Sequence, residues 1–310
     1  MKLFPLVDSK KVEPHHFNNF IYGRCLDNLD ATKVNLFTEK VFEYGPDGKW
    51  AALNILSQYC HFDENLWNQC KTTLRRFVCA FNYLSPSETK GRVDHYKWSV
   101  VVERLLLAGK DDEIAETISS QIVEASKRSL LSFHSYLSKV VDDLVKKHFP
   151  IFWKHVSPAL IGSEFLYLKG LLGTRNGNSL ASEGILFGGD NNIILEWCKA
   201  NSPKGPKRIG YMMPVFSKKT SGEVTWHPFA KAMIDTFGDL DGFLNEVGAN
   251  LGTFGSVGSV IPYYRDQQKL MKELFDHKLG AVRKWSKAGF ESLEKSIGRE
   301  ILKEEQGDLD

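Results

Sequence analysis

The residues able to do chemistry are scattered along this chain, and each grouping has a plain structural alternative. Gly252, Gly255 and Gly258 in the string GTFGSVGS have the spacing of a phosphate cradle. A Walker A loop needs GxxxxGK followed by Ser or Thr, because the lysine and hydroxyl must reach phosphate and magnesium. That string occurs nowhere in the chain. A dinucleotide fingerprint needs a preceding strand, and helical spacing precedes the glycines here. They are expected to form a bend between helices. The histidines are His15, His16, His61, His95, His134, His148, His155, His227 and His277. None lies in an HExxH, HxE or PCxxC string, so no metal and no cofactor is expected. His227 precedes Pro228 in TWHPF and is expected to cap a helix entry.

The cysteines are Cys25, Cys60, Cys70, Cys79 and Cys198, with no CxxC pair. Cys70 and Cys79 fall on one expected helix, about 13 Å apart at roughly 1.5 Å per residue, which is too far for a disulfide. An odd count without metal spacing predicts reduced, mostly buried thiols in a cytoplasm. No GxSxG elbow or nucleophile motif is present. Asp111-Asp112 and Asp142-Asp143 sit where a helix start or a solvated face accounts for them, and Asp239 and Asp241 read as helix caps. No residue is assigned a catalytic role. One basic cluster is suited to binding: Lys204, Lys207, Arg208, Lys218 and Lys219, with Tyr211 and Trp226. It could contact phosphate or an acidic partner, although a solvated loop is the simpler reading.

The bulk numbers fit a globular chain. The 310 residues are 42% hydrophobic, 25% charged and 12% aromatic, with 40 basic against 38 acidic residues and a net charge of +2. So small an excess argues against a dedicated nucleic-acid binder. The aromatic content argues against disorder. No apolar run is long enough for a signal peptide or a membrane span.

The elements that would position these residues read as helices. Apolar residues recur at steps of three and four from Pro14 to Asn28, then at Val34, Phe37, Val41 and Phe42, with Asp30 or Thr32 as cap. Gly45-Pro46-Asp47-Gly48 reads as a stop and turn. Further helices are expected around Trp50–Tyr59, after the cap Asp63, and over Thr89–Ala108, Ile114–Ala125 and Leu130–His148. Ile151–Val156 and Phe165–Leu172 look shorter. Gly173–Asn192 and Ser202–Thr225 lose the period and flank one short helix, Ile193–Ala200. Helices resume at Pro228 and Leu240. The chain closes on a hairpin, Ile261–Gln306, whose second helix carries Val282, Trp285, Leu293, Ile297 and Ile301. Three parts are expected: 1–172, an N-terminal helical array; 173–225, a loop-rich insertion; and 226–310, C-terminal hairpins. No alternating strand of useful length appears. Hairpins recurring every 35 to 45 residues or so fall in the range of helical repeats. The expected fold is all-α, a HEAT-like α–α superhelix.

The closing hairpin has Leu274-Phe275-Asp276, then Val282-Arg283, Trp285-Ser286 and Leu293. This resembles a HEAT repeat, in which the Asp and Arg staple one turn to its neighbour. The usual turn proline is replaced here by Lys278-Leu279, and Ser286 stands where an alanine is usual. More broadly, 226–305 is similar to the C-terminal region of bacterial helical-repeat proteins associated with STAND-type anti-phage defence NTPases. The residues that carry this are WHPF, a helix ending at Gly238, GS-x-IPYY, and D-H-x4-VRKW ahead of an acidic tail. That resemblance implies a sensor or scaffold region, with chemistry left to NTPase and effector parts that have no counterpart in these 310 residues. The expected function is therefore non-catalytic binding of a protein partner. The rival readings are a nucleic-acid-binding array using 202–225 and an enzyme whose site assembles only in three dimensions.

Overall fold

Aspartates open several helices as their sequence positions require. The side chain of Asp30 accepts from the Lys33 N–H, that of Asp63 from Asn65 and Leu66, and that of Asp190 from Asn192 and Ile193. Each satisfies backbone donors left unpaired in a first helical turn. In the computed structural model, residues 12, 16, 26, 28–85, 95–107, 111–126, 135–173, 184–218, 221–252 and 258–307 are described. Most of the expected Pro14–Asn28 helix, Cys25, Lys219 and most of GTFGSVGS fall outside them. Among the described residues there are fourteen α-helices, one short 3-10 turn and two three-residue strands. The fold is all-α. No described helix is long and apolar enough to cross a membrane. The chain divides into two units, Met1–Ala159 and Leu160–Asp310.

The first unit contains α1 (Ala31–Phe42), α2 (Gly45–Tyr59), α3 (Glu64–Ala80), α4 (His95–Leu107), α5 (Asp112–Ser126) and α6 (Ser135–Lys147), with α7 (Phe149–Leu160) ending at its boundary. Helix α1 packs on α2 and α3, and α2 packs on α3 and α4. Helix α4 also meets α5 and α6. Phe37, Leu53, Ile55, Leu56, Leu74, Phe77 and Trp98 are fully buried. Removing such a side chain from water is worth about 1.5–3 kcal/mol. The Phe42 and Phe77 rings stack at 4.3 Å. The expected stop at Gly45–Gly48 is displaced: Glu43 and Tyr44 make the turn, and α2 already begins at Gly45 with Pro46 in its first turn. A proline there removes only an N–H with no intrahelical partner. Arg75 of α3 ties the start of α5. Its Nε and Nη2 donate to the two Asp111 oxygens at 2.6 and 3.0 Å, and Nη2 also bonds Glu113.

The second unit runs α8 (Phe165–Leu172), the 3-10 turn Ile185–Gly188, α9 (Asn191–Ala200), α10 (Lys204–Gly210), β1 (Phe216–Lys218), β2 (Val224–Trp226), α11 (Pro228–Phe237), α12 (Phe243–Leu251), α13 (Ile261–Glu273) and α14 (Gly280–Gly307). Where the sequence reads as an irregular stretch, 202–225, the structure places α10 and an antiparallel hairpin. A ladder pairing Phe216 with Trp226 and Lys218 with Val224 is too short to show a period of two. Helix α10, KGPKRIG, contains two glycines and a proline, all of which lower helix propensity. Packing overrides that. A Cβ on Gly205 would lie 3.0 Å from the Trp197 ring, and one on Gly210 would lie 2.9 Å from Phe243. Buried Asn250 of α12 fastens the end of α10 by donating to Gly210 O at 3.2 Å and Met213 O at 2.6 Å. The expected aspartate cap ahead of α12 is absent: Gly242 takes that position with φ +73° and makes no side-chain bond. His227 does cap α11, its Nδ1 accepting from the Phe229 N–H at 3.3 Å.

Candidate functional site

The basic cluster is dispersed by the fold. Arg208 lays its guanidinium 4.2 Å over the buried Phe165 ring of α8. Lys169, on the same helix, places its ammonium 3.7 Å over Tyr211. Each pair satisfies a cation with a ring quadrupole and fixes α10 to α8. Lys204 and Lys218 are exposed, and Lys207 is half-buried. Trp226 is a core residue. It is 5% exposed, its Nε1–H donates to Leu270 O at 2.9 Å, and its ring lies 6.5 Å from Trp285. Arg208 and Tyr211 are thus brought together through α8, while Trp226 is removed from the surface.

The repeat residues of the closing hairpin are placed as follows. Val282 is fully buried, Trp285 and Leu293 are half-buried, and Asp276 is exposed. Arg283 donates to the His277 and Lys278 carbonyls at 2.6 and 3.1 Å. The turn is joined to α11 by another pair, His277 Nε2 and Asp235 Oδ1 at 2.7 Å. Nδ1 of that histidine accepts the Leu279 N–H at 3.1 Å. A ring nitrogen that accepts carries no proton, so the hydrogen sits on Nε2 and is donated to Asp235.

A second constellation has the character of a binding site. The end of α2 contributes Ser57 and Gln58, the α2–α3 turn contributes His61 and Phe62, and α4 contributes Tyr96 and Lys97. Together they line a cavity of about 240 Å³. Phe62 is 96% exposed and Tyr96 47% exposed. The Phe62 ring meets His61 edge to face at 4.4 Å. Lys97 lines the cavity as well, and its ammonium bonds Oδ1 of buried Asn54 at 2.5 Å. An aromatic rim beside a fixed cation can accept an apolar side chain that has a carboxylate next to it.

None of these cavity residues stood out in the sequence, yet a signal was present. Phe62 lies immediately before the N-cap Asp63, and Trp67 lies four residues beyond that cap. These are the two positions of a hydrophobic staple. The structure gives the staple's place to an arginine. Arg104 lies 3.9 Å over the Trp67 ring, bonds Glu64 at 2.6 Å, and donates to His61 O at 3.3 Å. Phe62 is thereby left in solvent, although its sequence position predicts burial.

Among the described residues no three His, Cys, Asp or Glu side chains are grouped as metal ligands. No family model, curated protein or solved structure matches the chain.

Proposed function

We propose that this chain is a non-catalytic helical-repeat protein, with HEAT-like superhelical stacking, that binds a protein partner as a scaffold or sensor. The observation that carries the reading is Phe62, a large aromatic side chain almost wholly in water at the mouth of a cavity shared with Tyr96 and Lys97. Exposed aromatics are the side chains that most often anchor protein interfaces, because they bury much area at little entropic cost. A role in bacterial anti-phage defence is supported by the resemblance of 226–305 to the sensor regions of STAND-type NTPases. The nucleic-acid reading has less support, since Arg208 is stacked on Phe165 and Trp226 is buried.

Affinity capture from the native cell, with and without nuclease, tests this reading, comparing the parent with Phe62→Ala and Lys97→Glu. The expected result is a protein retained by the parent and lost from both variants while their helical circular dichroism is unchanged. Equal retention by all three would contradict the assignment to this cavity. Retention abolished by nuclease or modest salt would favour a phosphate-contacting surface.

A further inference from the structure

The surface around Phe62 carries two features of opposite shape. One is a projection, the Phe62 ring, which is 96% exposed. The other is the cavity of about 240 Å³ beside it, lined by Ser57 and Gln58 of α2 and by Tyr96 and Val100 of α4. A ring so exposed does not occupy the cavity next to it. The volume falls below the roughly 300–1,000 Å³ of small-molecule pockets and suits one large side chain.

An apolar stripe continues along α4. Tyr96, Val100 and Leu107 lie within about 40° of one another at 3.6 residues per turn. Tyr96 is 47% exposed, Leu107 62% exposed and Val100 half-buried. Arg104, three residues before Leu107, bonds the His61 carbonyl and so brings this end of α4 to the Phe62 turn. Charges bordering the stripe are paired within it. Arg104 bonds Glu64 at 2.6 Å, and Lys139 of α6 bonds Glu103 at 2.7 Å. Such a border does not select a strongly acidic or basic partner. A net charge of +2 on the whole chain repels a second copy only weakly.

We propose, resting on the reading of Phe62 as an interface anchor, that the partner of this surface is a second copy of the chain. The two copies dock about a two-fold axis, Phe62 of each entering the cavity of the other, with the α4 stripes packed between them. A two-fold interface applies one patch to itself, so the patch must be complementary to itself. A projecting aromatic ring beside a cavity of side-chain size meets that requirement. The buried aromatic centre would then be ringed by paired charges, the usual arrangement of an interface core and rim.

Sedimentation equilibrium of the full chain over a dilution series tests this. The parent should give a species of twice 35.2 kDa that dissociates on dilution. Phe62→Ala removes the projection, and Val100→Trp fills the cavity. Each should weaken self-association about thirtyfold or more, the loss expected for a central aromatic anchor, with helical circular dichroism unchanged. Leu302→Ala, at an exposed leucine of α14, should leave association unchanged. Mixed together, the two weakened variants should bind each other more tightly than either binds itself, because one intact ring then meets one open cavity. A parent that stays at 35.2 kDa throughout would overturn the proposal. So would a dimer that Phe62→Ala leaves intact, or a mixture no tighter than each variant alone. If the parent is monomeric while capture from the cell returns a different protein through Phe62, self-association fails and the binding reading stands. If neither experiment yields a partner, both fail.

Discussion

Asp111 shows how much one side chain contributes in the first unit. It receives two bonds from Arg75 and also caps α5, accepting from the Ile114 N–H at 3.1 Å. The Arg75 guanidinium holds its carboxyl below the ordinary value of 3.8. A carboxyl lowered by folding adds stability above its unfolded pKa and loses it as pH falls through the folded value. Stability should therefore decline on acidification from about pH 4 downward, and Asp111→Asn should flatten that decline. The variant should also lose about 1–2 kcal/mol at neutral pH, since the fork is partly solvent-screened. Urea melts at a series of pH values measure both effects. Phe62→Ala should do the opposite of a core deletion. Almost all of its surface is already in water, so stability should shift by no more than about 0.5 kcal/mol while partner binding falls. At this scale the caps were legible in the sequence, because Asp30, Asp63 and His227 act through donors two or three residues away. Arg75–Asp111 and Arg104–Trp67 were not, because nothing local in the sequence specifies which helix packs on which.

Elements were readable where packing agrees with periodicity, as in α3, α5 and α11. Helix α10 was lost because its glycines serve neighbouring side chains rather than its own backbone. Gly210→Ala tests this. The added methyl would press on fully buried Phe243 and should cost about 1–3 kcal/mol despite alanine's better helix propensity. A gain in melting temperature would show that the contact relaxes freely. Trp285 is half-buried, so Trp285→Ala should cost less than the roughly 3–5 kcal/mol of a fully buried tryptophan. Helix α14 spans 28 residues against 13 in α13, yet Val282 and Ser286 are its buried residues. Removing 280–310 would uncover Leu270, Met271 and Leu274, all buried now. That truncation should aggregate, whereas removing 306–310 should leave the melt unchanged.

For the whole molecule, helical periodicity was sufficient to predict an all-α chain, and far-UV circular dichroism should be dominated by helix. The short β1–β2 ladder is compatible with that spectrum, but a sheet-dominated spectrum is not. The candidate site was less legible, because it depends on a residue that breaks its local rule. Phe62 should be stapled to Trp67, and Arg104 from another helix prevents it. Such a local conflict marks a position where function can outweigh folding consistency. The central claim is that this exposed aromatic contacts a protein. It is tested most directly by placing a photo-crosslinking phenylalanine analogue at position 62 in the native cell, with position 304 as an exposed control. The account predicts a discrete protein adduct at 62 that is absent at 304 and is lost when Lys97→Glu is combined with it. No adduct at 62, or the same adduct from both positions, would contradict it.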